Sequence, residues 1–256
     1  MLMTMDVGNT NIKFGLWRGG TMAYNWRVST RGDVSGDELG LVVDGALRLA
    51  GLSFGQVEDL IVASVVPPLR PALERFSNRY MGRVPIFVEG WSQRAMRLEY
   101  TNPREVGSDR VVASLAAWRR LKRSVIVVDF GTATTFDCVS DDGAYLGGAI
   151  APGFRLSADA LFRRASMLPK MESFHVPERA LCKDTLAGLN AGLVLGYTAL
   201  VEGLASRLAS EMDPEPVTVA TGGLAGLFAS QTAAIREVLP DLTMEGLKII
   251  YDEKKW

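Results

Sequence analysis

Two short strings of this sequence hold the residue types that phosphoryl chemistry uses, at a spacing that suits it. The first is DVGNTNIK, Asp6 to Lys13; the second is DFGTAT, Asp129 to Thr134. In each, a carboxylate stands where an apolar run ends, and a glycine and hydroxyl-bearing residues follow. Transfer of a phosphoryl group asks a protein for positioning and charge neutralisation more than for covalent chemistry. A tight turn at a strand end supplies backbone N–H groups, and glycine lets a phosphate approach the chain closely. Thr or Asn adds a neutral donor, and a carboxylate can hold a hydrated cation that bridges phosphates. A lysine places a point charge on a phosphate oxygen. By this reasoning Asp6, Gly8, Asn9, Thr10 and Lys13 suit one half of a nucleotide clamp, and Asp129, Gly131, Thr132 and Thr134 suit the other. A third string, TGG at Thr221 to Gly223, follows an apolar run, and Gly222 and Gly223 would let an adenosine lie against backbone. Asp, Gly and Asn are common in plain turns as well, so either hairpin alone would fit an ordinary turn. Two copies together with the glycine pair favour phosphate binding. No GxxxxGK[ST] string is present, and no GxGxxG follows a strand, which argues against the P-loop and Rossmann modes.

The elements that must hold these turns follow from hydrophobic periodicity. Met1 to Trp17 reads as a hairpin and Met22 to Ser29 as a third strand. Asp37 to Ala50 has helical spacing of Leu39, Val42, Val43, Ala46 and Leu47. LIVASVV, Leu60 to Val66, is a buried strand stopped by Pro67 and Pro68. Pro71 to Tyr80 reads as a helix, Val84 to Val88 as a strand, and Arg110 to Lys122 as a helix with Ser108 or Asp109 near its N-cap. Ser124 to Gly153 holds three strands with an Asp142-Gly143 hairpin turn. Ser157 to Arg164 is helical, Met167 to Arg179 irregular, and Asp184 to Glu211 a long helix. VTVATGG is a strand entering a glycine turn, and LKIIYD reads as a final strand. Strands and helices alternate, which gives an α/β class. The strand, Asp-x-Gly, Thr-containing turn, strand device occurs twice, about 120 residues apart. A duplicated unit explains this, with a boundary near Asn102 to Arg120.

Composition narrows the function classes. The chain has 256 residues, 48% of them hydrophobic, enough for one large core or two small ones. Lys plus Arg number 28 against 29 Asp plus Glu, a net charge of -1, so no basic excess argues for nucleic acid or an anionic membrane. Cys138 and Cys182 are too few for a disulfide framework and lack metal-ligand spacing, which fits a reduced, cytoplasmic chain. No secretory leader is visible. The uncharged apolar run Thr185 to Val201 is shorter than the roughly 20 apolar residues of a membrane span and reads as a buried helix. His175 reads as a surface or packed residue, Trp17, Trp26, Trp91 and Trp118 as packing residues, and Trp256 as a loose tail.

With these strings in view, the sequence closely resembles the type III pantothenate kinases, members of the acetate and sugar kinase, actin and heat-shock chaperone superfamily. The resemblance runs nearly the whole length. It rests on DVGNTNIKFGLW, ASVVPPL, YTNPREVGSDR, VVDFGTATTFD, YLGGAIAPG, Leu168-Pro169, KDT with the helix after it, and ATGGLAGL, in that order. It implies an actin-like α/β fold of two ribonuclease-H-like domains, residues 1–113 and 114–256, with a nucleotide cleft between them, and a homodimer with a shared active site. It also implies ATP-dependent phosphorylation of the primary hydroxyl of pantothenate, the first step toward coenzyme A. Mg2+ or another divalent metal and a monovalent cation, K+ or NH4+, come with that reading.

Residue by residue, the resemblance makes Asp109 in VGSDR the general base. A carboxylate facing the attacking hydroxyl can take its proton and aim it in line with the γ-phosphate; from the residue types alone, Ser108-Asp109 is equally a good helix cap. It puts Tyr100, Gly107, Arg110 and Thr185 around pantothenate, Arg110 as the partner of its carboxylate. It makes Asp129 the monovalent-cation ligand and Asp6 the divalent-metal carboxylate, acting through water. Three positions depart from the family pattern: Ser108 for alanine, Cys182 for glycine, and Asp184 for asparagine or serine. Asp184 places negative charge beside Thr185, or else caps the helix with its carboxylate turned away. Competing readings are another small-molecule kinase of the superfamily and a catalytically diverged paralogue acting as an accessory or regulatory protein. The segment Tyr100 to Arg110 favours pantothenate over other acceptors, and retention of Asp6, Lys13, Asp109 and Asp129 favours an enzyme. Gly188, Gly192 and Gly196 share one face of the long helix, each costing roughly 0.8–1.0 kcal/mol against alanine, which suggests that another backbone passes close by.

Overall fold

The computed structural model describes residues 1–254 and Trp256. The chain divides into two compact units, Met1–Ala116 together with Leu242–Trp256, and Ala117–Asp241. In the first unit, β1 (Leu2–Val7), β2 (Asn11–Arg18) and β3 (Thr21–Ser29) form an antiparallel meander. Helix α1 (Gly36–Leu49) follows, then β4 (Asp59–Ser64), which returns parallel to β1. Next come α2 (Arg70–Phe76) and a short parallel strand, β5 (Ile86–Phe87), so the sheet order is β3-β2-β1-β4-β5. Alternation along β1 sends Met3, Met5 and Val7 to one face, where they pack with Leu39, Val43 and Leu47 of α1 and Leu73 and Phe76 of α2. Asp6 therefore lies on the other face. Helix α1 starts at a capping box, with Ser35 accepting from the Glu38 N–H and Glu38 accepting from the Ser35 N–H. A two-residue strand, β6 (Arg97–Leu98), precedes α3 (Ser108–Leu121).

The second unit repeats the plan. Strands β7 (Val125–Phe130), β8 (Ala133–Val139) and β9 (Ala144–Pro152) form the meander. Helices α4 (Phe154–Arg164) and α5 (Thr185–Ser210) follow, then β10 (Val217–Gly222) parallel to β7. After α6 (Ala225–Ala229) comes β11 (Glu237–Val238), parallel to β10. Within this unit the strands run β9-β8-β7-β10-β11, the same order and senses as β3-β2-β1-β4-β5. This mixed five-strand arrangement is that of a ribonuclease-H-like unit, and it occurs twice. Strands β1 and β7 even share one burial pattern, with the half-exposed position at Asp6 and at Asp129. Ile126, Val128, Phe130, Phe136 and Cys138 pack with Phe154, Val194, Tyr197 and Phe228 on one face of the second sheet.

Several expectations need correction. LKIIYD is not a strand but the end of helix α7 (Leu242–Asp252). Its apolar run is too short for periodicity to separate strand from helix, and Leu242, Leu247 and Ile250 bury one helical stripe instead. That stripe packs in the first unit, so 242–256 leaves the expected second domain of 114–256. Thr4 donates to the Met244 sulfur and accepts from the Trp17 indole, and Tyr251 hydrogen-bonds Asp59, which pushes its phenol up to about 12. Ser108 and Asp109 lie inside the first turn of α3 rather than capping it; the Gly107 carbonyl accepts from Val111 N–H. Helix α5 is 26 residues long and apolar enough by length and composition to cross a membrane; only 33% of its apolar window is buried, not the whole helix as expected, and Val194, Tyr197 and Val201 are its residues in the second unit's core. Trp91 is exposed rather than packed, with the Arg104 guanidinium 4.9 Å from its ring, and Trp256 stacks on Tyr251.

Helix α7 lies so close to α3 that a side-chain carbon on Gly246 would collide with the Val112 carbonyl. Gly246→Ala is expected to destabilise by about 1–3 kcal/mol or more, read as a lower denaturation midpoint. Gly45→Ala, in α1 with open space around it, is expected to raise that midpoint by about 0.4–1 kcal/mol. Equal midpoints for the two variants would contradict this packing of α7.

Candidate active site

In both units the candidate residues gather at the carboxyl ends of parallel strands, where open α/β sheets place ligands. In the first unit, β1 ends at Val7 and the chain turns through Gly8, Asn9 and Thr10 into β2. Gly8 N–H donates to Asn11 O at 3.0 Å, closing the turn. Thr30, just beyond β3, clamps it from outside: its N–H donates to Thr10 O at 2.9 Å and its hydroxyl to Gly8 O at 2.6 Å. Thr30 carried no sequence signal because its role depends on the β2–β3 register. Asn9 and Thr10 remain exposed. Asp6 stands directly opposite Lys13 in the antiparallel register, so carboxylate and ammonium share one face.

The second unit builds the same device with different chemistry. Asp129 stands opposite Thr135 in β8 and beside Thr221 in β10. Its carboxylate reaches over the end of β10, where Gly222 has φ +91 and a side-chain carbon would collide with Asp129 Oδ1 and come within 2.7 Å of Phe130 N. Gly131 and Thr132 form the exposed turn, closed by Gly131 N–H to Ala133 O at 3.1 Å. Gly153, the N-cap of α4, packs directly against the carbonyls of that turn. Thr134 does not belong to the site. It is 1% exposed, and its hydroxyl accepts from Tyr197 at 2.7 Å on the core face, so it has no access to a phosphate. Side chains alternate along a strand, and the residue on the Asp129 face is its neighbour, Thr135. Burial in turn pushes the Tyr197 phenol up.

The segment from Tyr100 to Arg110 belongs to the first unit. A single turn at Pro103–Glu105 and the buried Val106 lead it into α3. Ser108 Oγ donates to Ser64 O at 3.4 Å at the end of β4, and Val65 N–H donates to Val7 O at 3.0 Å. These two bonds tie the start of α3 to the same sheet edge as Asp6 and Gly8. Asp109 Oδ1 accepts the Arg110 N–H at 2.8 Å and folds back over Gly107, where a side-chain carbon would stand 2.6 Å from it. Gly107 thus makes room for the Asp109 carboxylate. Tyr100, Asp109 and Arg110 are half-buried. Thr185 is the exposed first residue of α5 in the second unit. Asp184 is that helix's N-cap, accepting from Ala187 N–H at 2.9 Å, so its carboxylate is turned to the helix. His175 is clamped through its backbone to the Asn190 amide. Among the described residues, no three or more His, Cys, Asp or Glu side chains converge as a protein-only metal cage.

The sequence pattern of the family described as type III pantothenate kinase matches residues 2–207. A protein from Syntrophotalea carbinolica named type III pantothenate kinase is 50% identical over 255 residues, covering 100% of each chain. Among solved structures, a conserved putative Baf family transcriptional activator from Campylobacter jejuni aligns with a TM-score of 0.62 and 19% identity over 98% of both chains. A putative 2-dehydro-3-deoxygalactonokinase protein from Sinorhizobium meliloti aligns with a TM-score of 0.60 and 11% identity over 99% of this chain and 96% of that one. Both structural matches concern the fold, which is the actin-like α/β arrangement of sugar kinases.

The close approach of Asp129 to Gly222 has a direct test. Gly222→Ala meets both a left-handed backbone and a collision, whereas Gly223→Ala has open space around it. The first is expected to destabilise by about 1 kcal/mol or more and to lower the melting temperature by several degrees. The second is expected to stay within about 0.5 kcal/mol of the parent. A Gly222→Ala protein that melts like the parent would show that the carboxylate does not occupy this position.

Proposed function

The chain belongs to the type III pantothenate kinase family, and from that premise we propose that it transfers the γ-phosphoryl group of ATP to the primary hydroxyl of pantothenate, opening the route to coenzyme A. The observation that carries the site assignment is the pair of hydrogen bonds tying the start of α3 to the ends of β4 and β1. They hold a candidate base and a candidate phosphate turn on one sheet edge.

In this reading Asp109 takes the proton of the attacking hydroxyl, its carboxylate aimed by the Arg110 N–H and given room by Gly107. Tyr100, Gly107, Arg110 and Thr185 receive pantothenate, with Arg110 on its carboxylate. Gly8, Asn9, Thr10 and Lys13 hold phosphate oxygens through N–H groups, side-chain donors and charge. Gly131 and Thr132 do the same from a turn backed by the N-terminus of α4, whose dipole favours anions. Gly222 and Gly223 give the nucleotide a flat backbone approach. A divalent ion such as Mg2+ suits Asp6 through water, because such ions use one or two carboxylates and otherwise phosphate and water oxygens; when bound it neutralises charge on the phosphates. Asp129 is assigned to a monovalent cation, K+ or NH4+, on the family resemblance; its Oδ1 lies close over Gly222 at the end of β10.

We further assign the chain to a homodimer with a shared site in the cytoplasm. Gly188, Gly192 and Gly196 line an exposed face of α5, and Gly192 and Gly196 have nothing within 4 Å of where a side chain would begin. Leu186 of the same helix and Ile150 of β9 are 51% and 64% exposed, apolar surface that a partner subunit would cover. Both cysteines are free thiols, as a reducing compartment keeps them. Net charge and composition give no support to nucleic-acid or membrane partners.

Asp109→Asn is expected to keep the circular dichroism spectrum and ATP binding while kcat falls by about 10²–10⁴. Near-normal kcat at saturating pantothenate would remove Asp109 from the role of base. The shared site is tested by mixing Asp109→Asn subunits with subunits carrying an inactivating Thr185 substitution. If the two residues come from different chains, about a quarter of all sites recover in a symmetric dimer. No recovery, with mixed dimers verified by mass, refutes sharing.

A further inference from the structure

The turn after β1 has a weak point of its own making. Gly8 can adopt backbone conformations closed to other residues, so the peptide joining it to Asn9 is the one most easily turned over. A peptide is planar and trans, and its C=O and N–H therefore point opposite ways. Turned over, the Gly8–Asn9 peptide would set an oxygen where an N–H should meet a phosphate, and acceptor would face acceptor. The Gly8 N–H cannot substitute, because it already donates to Asn11 O at 3.0 Å.

Thr30 controls that peptide. Its hydroxyl donates to Gly8 O at 2.6 Å, which holds the carbonyl toward Thr30 and the Asn9 N–H the other way. Its own N–H donates to Thr10 O at 2.9 Å, so the peptide at the far side of the turn is held from the same residue. Thr30 is in turn fixed from both sides. Before it, Ser29 stands opposite Asn11 in the β2–β3 register. After it, Arg31 donates to Glu38 at 2.5 Å, and Glu38 closes the capping box with Ser35 at the start of α1. The hydroxyl at position 30 thus works from a stiff mount.

The second unit treats the same place alike. Gly153 is the first residue after β9, as Thr30 is the first after β3. A side-chain carbon on Gly153 would stand 2.2 Å from Thr132 O and 2.7 Å from Gly131 O. There the backbone itself packs on the carbonyls of the turn, whereas in the first unit a side chain reaches them. Two turns of different sequence are governed from one equivalent position.

We propose that Thr30 is a positioning residue for ATP, its hydroxyl keeping the Gly8–Asn9 peptide with the N–H presented to a phosphate group. This rests on the reading of Asp6 to Lys13 as a phosphate turn. Binding that needs one of two peptide orientations is weakened by the fraction of chains in the other. One hydrogen bond of this kind shifts such a balance by roughly three- to tenfold.

The experiment measures steady-state phosphorylation of pantothenate, varying ATP at saturating pantothenate and the reverse, alongside the melting temperature. Thr30→Val keeps the side-chain shape and the backbone bond to Thr10 but removes the hydroxyl. It is expected to raise KM for ATP by roughly three- to tenfold and to leave KM for pantothenate within about twofold, while Thr30→Ser restores the parental KM for ATP to within about twofold. Lys13→Ala, a change in the turn itself, is expected to raise KM for ATP at least as much. Circular dichroism checks each fold; should Thr30→Val not fold, Thr30→Ala takes its place. A Thr30→Val protein that melts lower yet keeps the parental KM for ATP, while Lys13→Ala raises it, overturns the role of Thr30 and leaves the phosphate turn standing. Parental KM for ATP in both variants overturns the phosphate turn, and this inference with it. A parent that does not phosphorylate pantothenate overturns the proposed function, and the inference falls too.

Discussion

The register of the two hairpins is the constraint on which the candidate site depends. In an antiparallel pair, residues directly opposite share a face, and a slip of one residue exchanges the faces. Pairing Asp6 with Lys13 and Asp129 with Thr135 puts each strand-end carboxylate beside a chosen partner. The tight turns after β1 and β7 follow from the same register, since each closes by an N–H of its glycine onto a carbonyl at the start of the next strand. Around this frame the backbone is drawn in closely. Gly222 yields to the Asp129 carboxylate, Gly107 yields to the Asp109 carboxylate, and Gly153 brings the start of α4 against the turn at Thr132.

Much of the fold was legible because its signals are local. Apolar runs ended by Asp-x-Gly marked β1 and β7, and their recurrence announced a duplicated unit in which β3-β2-β1-β4-β5 and β9-β8-β7-β10-β11 follow one order. The helices with clear caps, α1 and α5, fell within a residue or so of their expected starts. The failures have a common cause. LKIIYD is four apolar or amphipathic positions and a tyrosine, a run that fits a strand until the buried stripe of α7 selects the helix. Choosing Thr134 over Thr135 was a choice between faces, and face is set by pairing rather than by residue type. Thr30 was invisible because its two bonds reach across from the far end of β3.

The departures from the family pattern resolve into structural roles where the geometry is explicit. Asp184 spends its carboxylate on the Ala187 N–H, so its charge serves the start of α5. Ser108 adds a hydroxyl that alanine lacks and uses it on the end of β4. Cys182 lies 3.5 Å from the Arg179 carbonyl in the irregular chain before α5, and nothing further in the structure explains it.

Helix α7 gives the two units unequal histories during synthesis. The second unit is one continuous stretch, Ala117–Asp241, whereas the first closes only with Leu242–Trp256. A chain leaving the ribosome folds unit by unit from the end that emerges first. Here the unit that begins first must finish last. Until α7 emerges, Thr4 lacks Met244 and Asp59 lacks Tyr251, and the α7 side of the first sheet lies open. A nascent chain stalled before Leu242 would therefore hold every residue of the second unit while the first still lacked α7.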